Sequence, residues 1–135
     1  MSGFVAEERP NELFIFRITE LDNETIDDWV RYSQIIQNDF KTDGHLRVLY
    51  LSSCLKLPTP YATQRAIQLA AMTPPTLRSS SAVVLLSFHL LLAADYVLKR
   101  IRKPGNIWLV RSVKEGIAWL NERHAKYLQG IRLEY

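Results

Sequence analysis

Short apolar runs alternate with amphipathic stretches along this chain. "LFIFRIT", Leu13 to Thr19, is rich in aromatic and β-branched residues and predicts a strand. Beyond it, Ile26, Trp29, Val30, Ser33, Ile36 and Phe40 recur at helical spacing and make one largely apolar stripe. Asn23 is expected as the N-cap of that helix, with Glu24, Asp27 and Asp28 placing negative charge in its first turns, and "KTDG" ends it. "HLRVLYL", His45 to Leu51, predicts a second strand. Thr59 followed by Pro60 reads as an N-cap with proline at the first helical position, opening "YATQRAIQLAAM". The slim face of Ala62, Ala66, Leu69 and Ala70 is expected to bring that helix close to the sheet, and "TPP" breaks it.

The most apolar passage comes next. Thirteen residues from Ala82 to Ala94 carry no charge, and a basic cluster follows. A membrane-spanning helix needs about 20 mainly apolar residues, so the passage reads as core. "AVVLLSF" suits a strand buried on both faces. "HLLLAADYVLKRI" puts Leu90, Leu91, Ala94, Val97, Leu98 and Ile101 at helical spacing, with Asp95 and Lys99 paired on the other side. Lys99, Arg100, Arg102 and Lys103 sit where the helix dipole favours cations, and Pro104-Gly105 stops the helix. Ser79-Ser80-Ser81 reads as a turn before this third strand. "NIWLVRS" is the fourth, and Ser112 with Glu115 forms a capping box for "VKEGIAWLNERHAKYLQ". "GIRLEY" receives no assignment.

Four β-α units predict an α/β fold, a mostly parallel sheet flanked by helices, with right-handed crossovers. No linker or repeat divides the 135 residues, so one domain is expected over 1–135, with 1–11 as a flexible N-terminal arm. Composition changes this picture little. The 47% hydrophobic and 23% charged residues are ordinary for a globular protein. A net charge of +3 gives nucleic-acid binding little support. A single cysteine, Cys54, rules out an internal disulfide. The opening "MSGFVAEERPNE" lacks the pattern of a signal peptide, and the expected location is the cytoplasm.

The order and spacing of these units resemble the STAS fold of bacterial anti-sigma-factor antagonists, above all the SpoIIAA-like group. "LFIFRITELDNETIDDW" is similar to that group's opening strand, acidic-polar turn and first helix. "LRVLYLSS" resembles its second strand and "EGIAWLNER" its closing helix, so the likeness runs over residues 12–125. The resemblance implies a β/α superhelix, with room for an antiparallel strand, and a non-enzymatic protein that binds partner proteins under a serine-phosphorylation switch. At the switch position this chain departs from the pattern. The antagonists carry an Asp-Ser-Ser/Thr-Gly-like segment, whereas this chain has "CLKLPTPYATQ". Thr59 is the hydroxyl nearest the switch position, so it reads either as an N-cap alone or also as a phosphoacceptor, its phosphate facing a helix N-terminus.

Residue chemistry adds few candidates. His45, His89 and His124 fall in different elements with no ligand spacing, and no metal site is called for. Cys54 lacks a base at a fixed spacing and reads as a small buried thiol. No phosphate-binding glycine loop or nucleophile elbow occurs, so no cofactor and no catalytic residue is assigned. The expected binding face is Leu57, Thr59, Tyr61 and Arg65, semi-rigid between prolines, with His89 following the third strand at the same sheet end. The leading reading of His89 by itself is a helix-start residue bonded to a neighbouring backbone group. The best reading is a regulatory or protein-interaction module. The alternative is a small-molecule or lipid-binding domain using the same end of the sheet. The expected partner is another protein, with a homodimer or a small apolar ligand as variants; nucleic acid and membrane insertion are not expected.

Overall fold

A computed structural model of the chain describes residues 2–40, 43–54, 56–101 and 104–135. Strands β1 (Phe4–Arg9), β2 (Leu13–Ile18), β3 (Leu46–Ser52), β4 (Ser79–Val84) and β5 (Ile107–Val110) lie side by side in chain order. β1 runs antiparallel to β2, and every other pairing is parallel. Helices α1 (Asn23–Asp39), α2 (Pro60–Met72), α3 (Phe88–Leu98) and α4 (Val113–Leu128) complete the four expected β-α units.

The expected N-terminal arm is corrected to an edge strand. Phe4 and Ala6 of β1 pack on the Phe14–Phe16 cluster, and the Phe4 ring meets Phe16 edge-on at 5.2 Å. "FVAEER" hides its strand character because Glu8 and Arg9 are exposed, as suits an edge that must not template further pairing.

Strand alternation divides the core between two sheet faces. Phe14, Phe16, Leu46 and Val48 point to one, beneath Trp29, Ile36 and Phe40 of the α1 segment. Ile15, Leu49, Ala82, Val84 and Val110 point to the other, where Leu120 of α4 covers them. Gly116 allows α4 its close approach: a Cβ there would lie 2.8 Å from Leu49 Cδ1. The slim face of α2 meets a helix rather than the sheet. Ala62 and Leu69 pack against Ile26 and Val30 of α1, and no strand residue joins that cluster.

Three local expectations shift. The α1 N-cap is Asp22, one residue before Asn23, and its carboxylate accepts the Thr25 N–H at 3.1 Å. Asp and Asn cap about equally well, so neighbouring candidates cannot be ranked from sequence. Ser79, Ser80 and Ser81 are not a turn; they pair with Leu46, Arg47 and Val48 in the ladder. Finally, the apolar passage is only half core. Ala82, Val84 and Leu85 are buried, but within α3 only Leu90 is. That helix also ends at Leu98, before Pro104-Gly105, which lie in a short 3-10 turn; Arg102 and Lys103 fall outside the described residues. The Asp95–Lys99 pair forms at 3.0 Å.

Candidate functional site

The expected face begins where β3 ends. Between Ser52 and Pro60 the chain turns from strand to helix, and Leu57 and Thr59 stand exposed there. Leu55 falls outside the described residues. Thr59 is extended and caps α2, its Oγ1 accepting the Ala62 N–H at 3.0 Å. Pro60, lacking an N–H, fills a position where none is needed. The hydroxyl is thus engaged by one donor while its residue stays open to solvent.

Tyr61 and Arg65 follow one turn apart and converge on Asp27 of α1. The Tyr61 hydroxyl donates to the Asp27 carboxylate. Arg65 Nε lies 3.7 Å from the same oxygen, and Arg65 Nη1 donates to Gln68 Oε1 at 3.2 Å. Donation to Asp27 holds the Tyr61 hydroxyl's pKa above its ordinary value, because losing that proton would set two negative oxygens together. This trio fixes the start of α2 against α1. His89 lies exposed in the first turn of α3, at the same sheet end, and takes no part in the trio. Four of the five candidates are therefore contiguous, and His89 stands apart.

The opposite end of the sheet holds an arrangement that sequence spacing did not reveal. His45, just before β3, sits fully buried between β4 and α4. Its Nε2 is 2.7 Å from Ser80 Oγ, and its Nδ1 is 3.1 Å from His124 Nδ1. Arg123 Nε donates to the same Ser80 oxygen at 2.7 Å. Tyr127 and Tyr135 close the ring stack around His45, so "GIRLEY" ends as a cover over this cluster. Arg47, also buried, donates to the Asn11 carbonyl. Burial, then the positive charges of His124, Arg47, Arg123 and Arg78, hold the His45 pKa at about 3. Ser80 beside a histidine suggests a nucleophile, but its oxygen is sealed from solvent and already shared by two partners. The cluster is a buried polar network in which the His45, Ser80 and Arg123 side chains bond one another or their neighbours, while Arg47 Nε has no hydrogen-bond partner among the described residues. It could not be found from sequence because its members lie 35 and 79 residues apart.

Among the described residues no group of three or more His, Cys, Asp or Glu side chains could hold a metal, and Cys54 is buried. No described helix is long and apolar enough to cross a membrane. Two grooves lie near the buried network, one lined by Asn11, Glu12, Gly44 and His124, the other by Arg78, Ile131 and Tyr135.

A sequential sheet of four β-α units with an antiparallel strand in front defines an α/β fold of the STAS type. A solved structure, the crystal structure of an anti-sigma factor antagonist from Mycobacterium paratuberculosis, superimposes with a TM-score of 0.56. The match covers 87% of this chain and 92% of that one at 8% sequence identity. At that identity the likeness is one of fold. No protein-family model matches the chain, and no curated protein does.

Proposed function

We propose that the chain is a regulatory protein-interaction module that docks partners through the β3–α2 turn and the first turns of α2. The observation that carries this reading is the exposure of Leu57 and Thr59 on a turn held by two prolines, beside the braced Tyr61–Asp27–Arg65 trio. An apolar side chain in water beside fixed polar groups is what a partner can cover at low ordering cost. The STAS-like fold supports it, since the matched structure is described as an anti-sigma factor antagonist. A phosphate on Thr59 would meet the free N–H groups of the α2 N-terminus, which gives the same turn a means of control.

The test is capture of a partner from lysate, its identification by mass spectrometry, and titration of the purified pair. Thr59→Glu and Arg65→Glu should each weaken the affinity about tenfold or more, the usual loss at an interface anchor, with unchanged circular dichroism. Affinity unmoved by both substitutions would remove this face from the reading.

A further inference from the structure

Helix α3 is mainly apolar, and the fold leaves one apolar face of it open to water. Phe88, Leu92 and Tyr96 recur every four residues and form one outward stripe, 58%, 51% and 55% exposed. Leu86, 59% exposed, extends the stripe past the helix start. A surface helix ordinarily turns charged residues to water, so a stripe of this make-up marks an interaction surface.

Charge says what it meets. Between Ser79 and Lys114 lie the bases Lys99, Arg100, Arg102, Lys103, Arg111 and Lys114 and the single acid Asp95, a net of +5. The whole chain carries +3, so the remainder is net −2. Cations flank the stripe at both ends. Arg100 continues it at the C-terminal end, its guanidinium 4.5 Å over the Tyr96 ring. At the other end the Leu85 N–H bonds the Val110 carbonyl at 3.0 Å, so the turn bearing Leu86 adjoins the turn bearing Arg111.

We propose that this face docks the protein peripherally on an anionic lipid bilayer, α3 lying along the surface. Phe88, Leu92 and Leu86 would enter the acyl boundary, Tyr96 the headgroup level, and Lys99, Arg100 and Arg111 would meet lipid phosphates. At eleven residues α3 is about 16 Å long, half the roughly 30 Å of a bilayer core, so it lies on the membrane and does not span it. A projecting helix with protruding Phe and Leu side chains fits a deformable surface, whereas a protein partner would need a groove shaped to receive it. Apolar insertion or charge alone gives marginal attachment, and this face supplies both.

Co-sedimentation of the full chain with vesicles tests the proposal, using phosphatidylcholine alone or with about 30% phosphatidylglycerol, whose negative surface is the attracting charge. The wild-type chain should pellet with the anionic vesicles, much less with the neutral ones, and release as salt rises. Phe88→Glu with Leu92→Glu should lower partitioning at least about tenfold, since each removes a side chain from the apolar layer. Lys99→Ala with Arg100→Ala should lower it about fivefold per cation. Lys126→Glu, on α4, should leave it unchanged. The proposal is overturned if the folded wild-type chain ignores anionic vesicles, binds neutral ones equally, or binds as before after Phe88→Glu with Leu92→Glu. A dimer in vesicle-free sedimentation that this pair of substitutions splits would overturn it too, assigning the stripe to a second copy.

Discussion

His45 shows what a buried titratable side chain asks of its surroundings. Two protonated rings would set N–H against N–H across the 3.1 Å between His45 and His124, beside Arg47, Arg123 and Arg78, with Glu12 the acid that offsets them at His124. Folding therefore holds His45 neutral, its pKa lowered to about 3 from the ordinary histidine value of 6.5. In that window the unfolded chain binds the proton and the folded chain does not, so stability is full above the unfolded value and is lost as pH falls below it. The expected slope is about 1.4 kcal/mol per pH unit once pH is well under 6.5. Denaturant titrations between pH 7 and 4 check it: His45→Gln should flatten the slope whatever it does to stability at pH 7, and an unchanged slope would clear His45. None of this was legible beforehand. Thr59 was, since its cap depends only on the residue type and the proline that follows, both local.

At the scale of elements, sequence reading did best where one period decides and worst where distant chemistry does. The strand cores and α1, α2 and α4 follow from apolar spacing within each segment. Ser79-Ser80-Ser81 reads as a turn because serine is a favoured turn residue; Ser80 belongs to a strand, where His45 and Arg123 satisfy its hydroxyl. Helix α3 misled in the opposite sense, since apolar composition implies burial only when another element arrives to cover it. The approach of α4 to the sheet gives an element-scale prediction. In a free helix, replacing Gly116 would raise helix propensity. Here a larger side chain would press on Leu49, Ala82 and Val110, so Gly116→Val should cost about 1–3 kcal/mol by overpacking. A midpoint equal to or above the wild type in chemical denaturation would show that α4 can stand off without loss.

For the molecule as a whole, the sheet's two edges differ. β1 shields β2 from solvent and carries Glu7, Glu8 and Arg9, with Glu7 paired to Arg17 at 3.1 Å. Deleting residues 2–9 should bare the β2 ladder and the Phe16 ring together, and the shortened chain should elute as oligomers in size-exclusion chromatography. A monomeric elution would mean that β2 protects its own edge. The mostly parallel sheet was foreseeable, because parallel neighbours need a helix between them and the chain supplies one each time. The resemblance left room for an antiparallel strand but did not place it in front, since its pairing depends on a reversal through Pro10, Asn11 and Glu12, the last two with positive φ, that apolar periodicity does not register.

Strand order equal to chain order also bears on how the protein comes into being. Each strand pairs with the one made just before it, so the sheet can grow in the direction of synthesis without awaiting a distant partner. Its two faces do not mature together. α1 can settle on Phe14 and Phe16 early, whereas Ile15, Leu49 and Ala82 stay bare until α4 emerges. Over that interval a nascent chain holds a half-dressed sheet with His45 and Ser80 still lacking Arg123 and His124, a species prone to sticking and suited to chaperones. Arrival of α4 covers the apolar face and completes the polar network in one step, which makes the last helix the clasp that commits the chain to its native state.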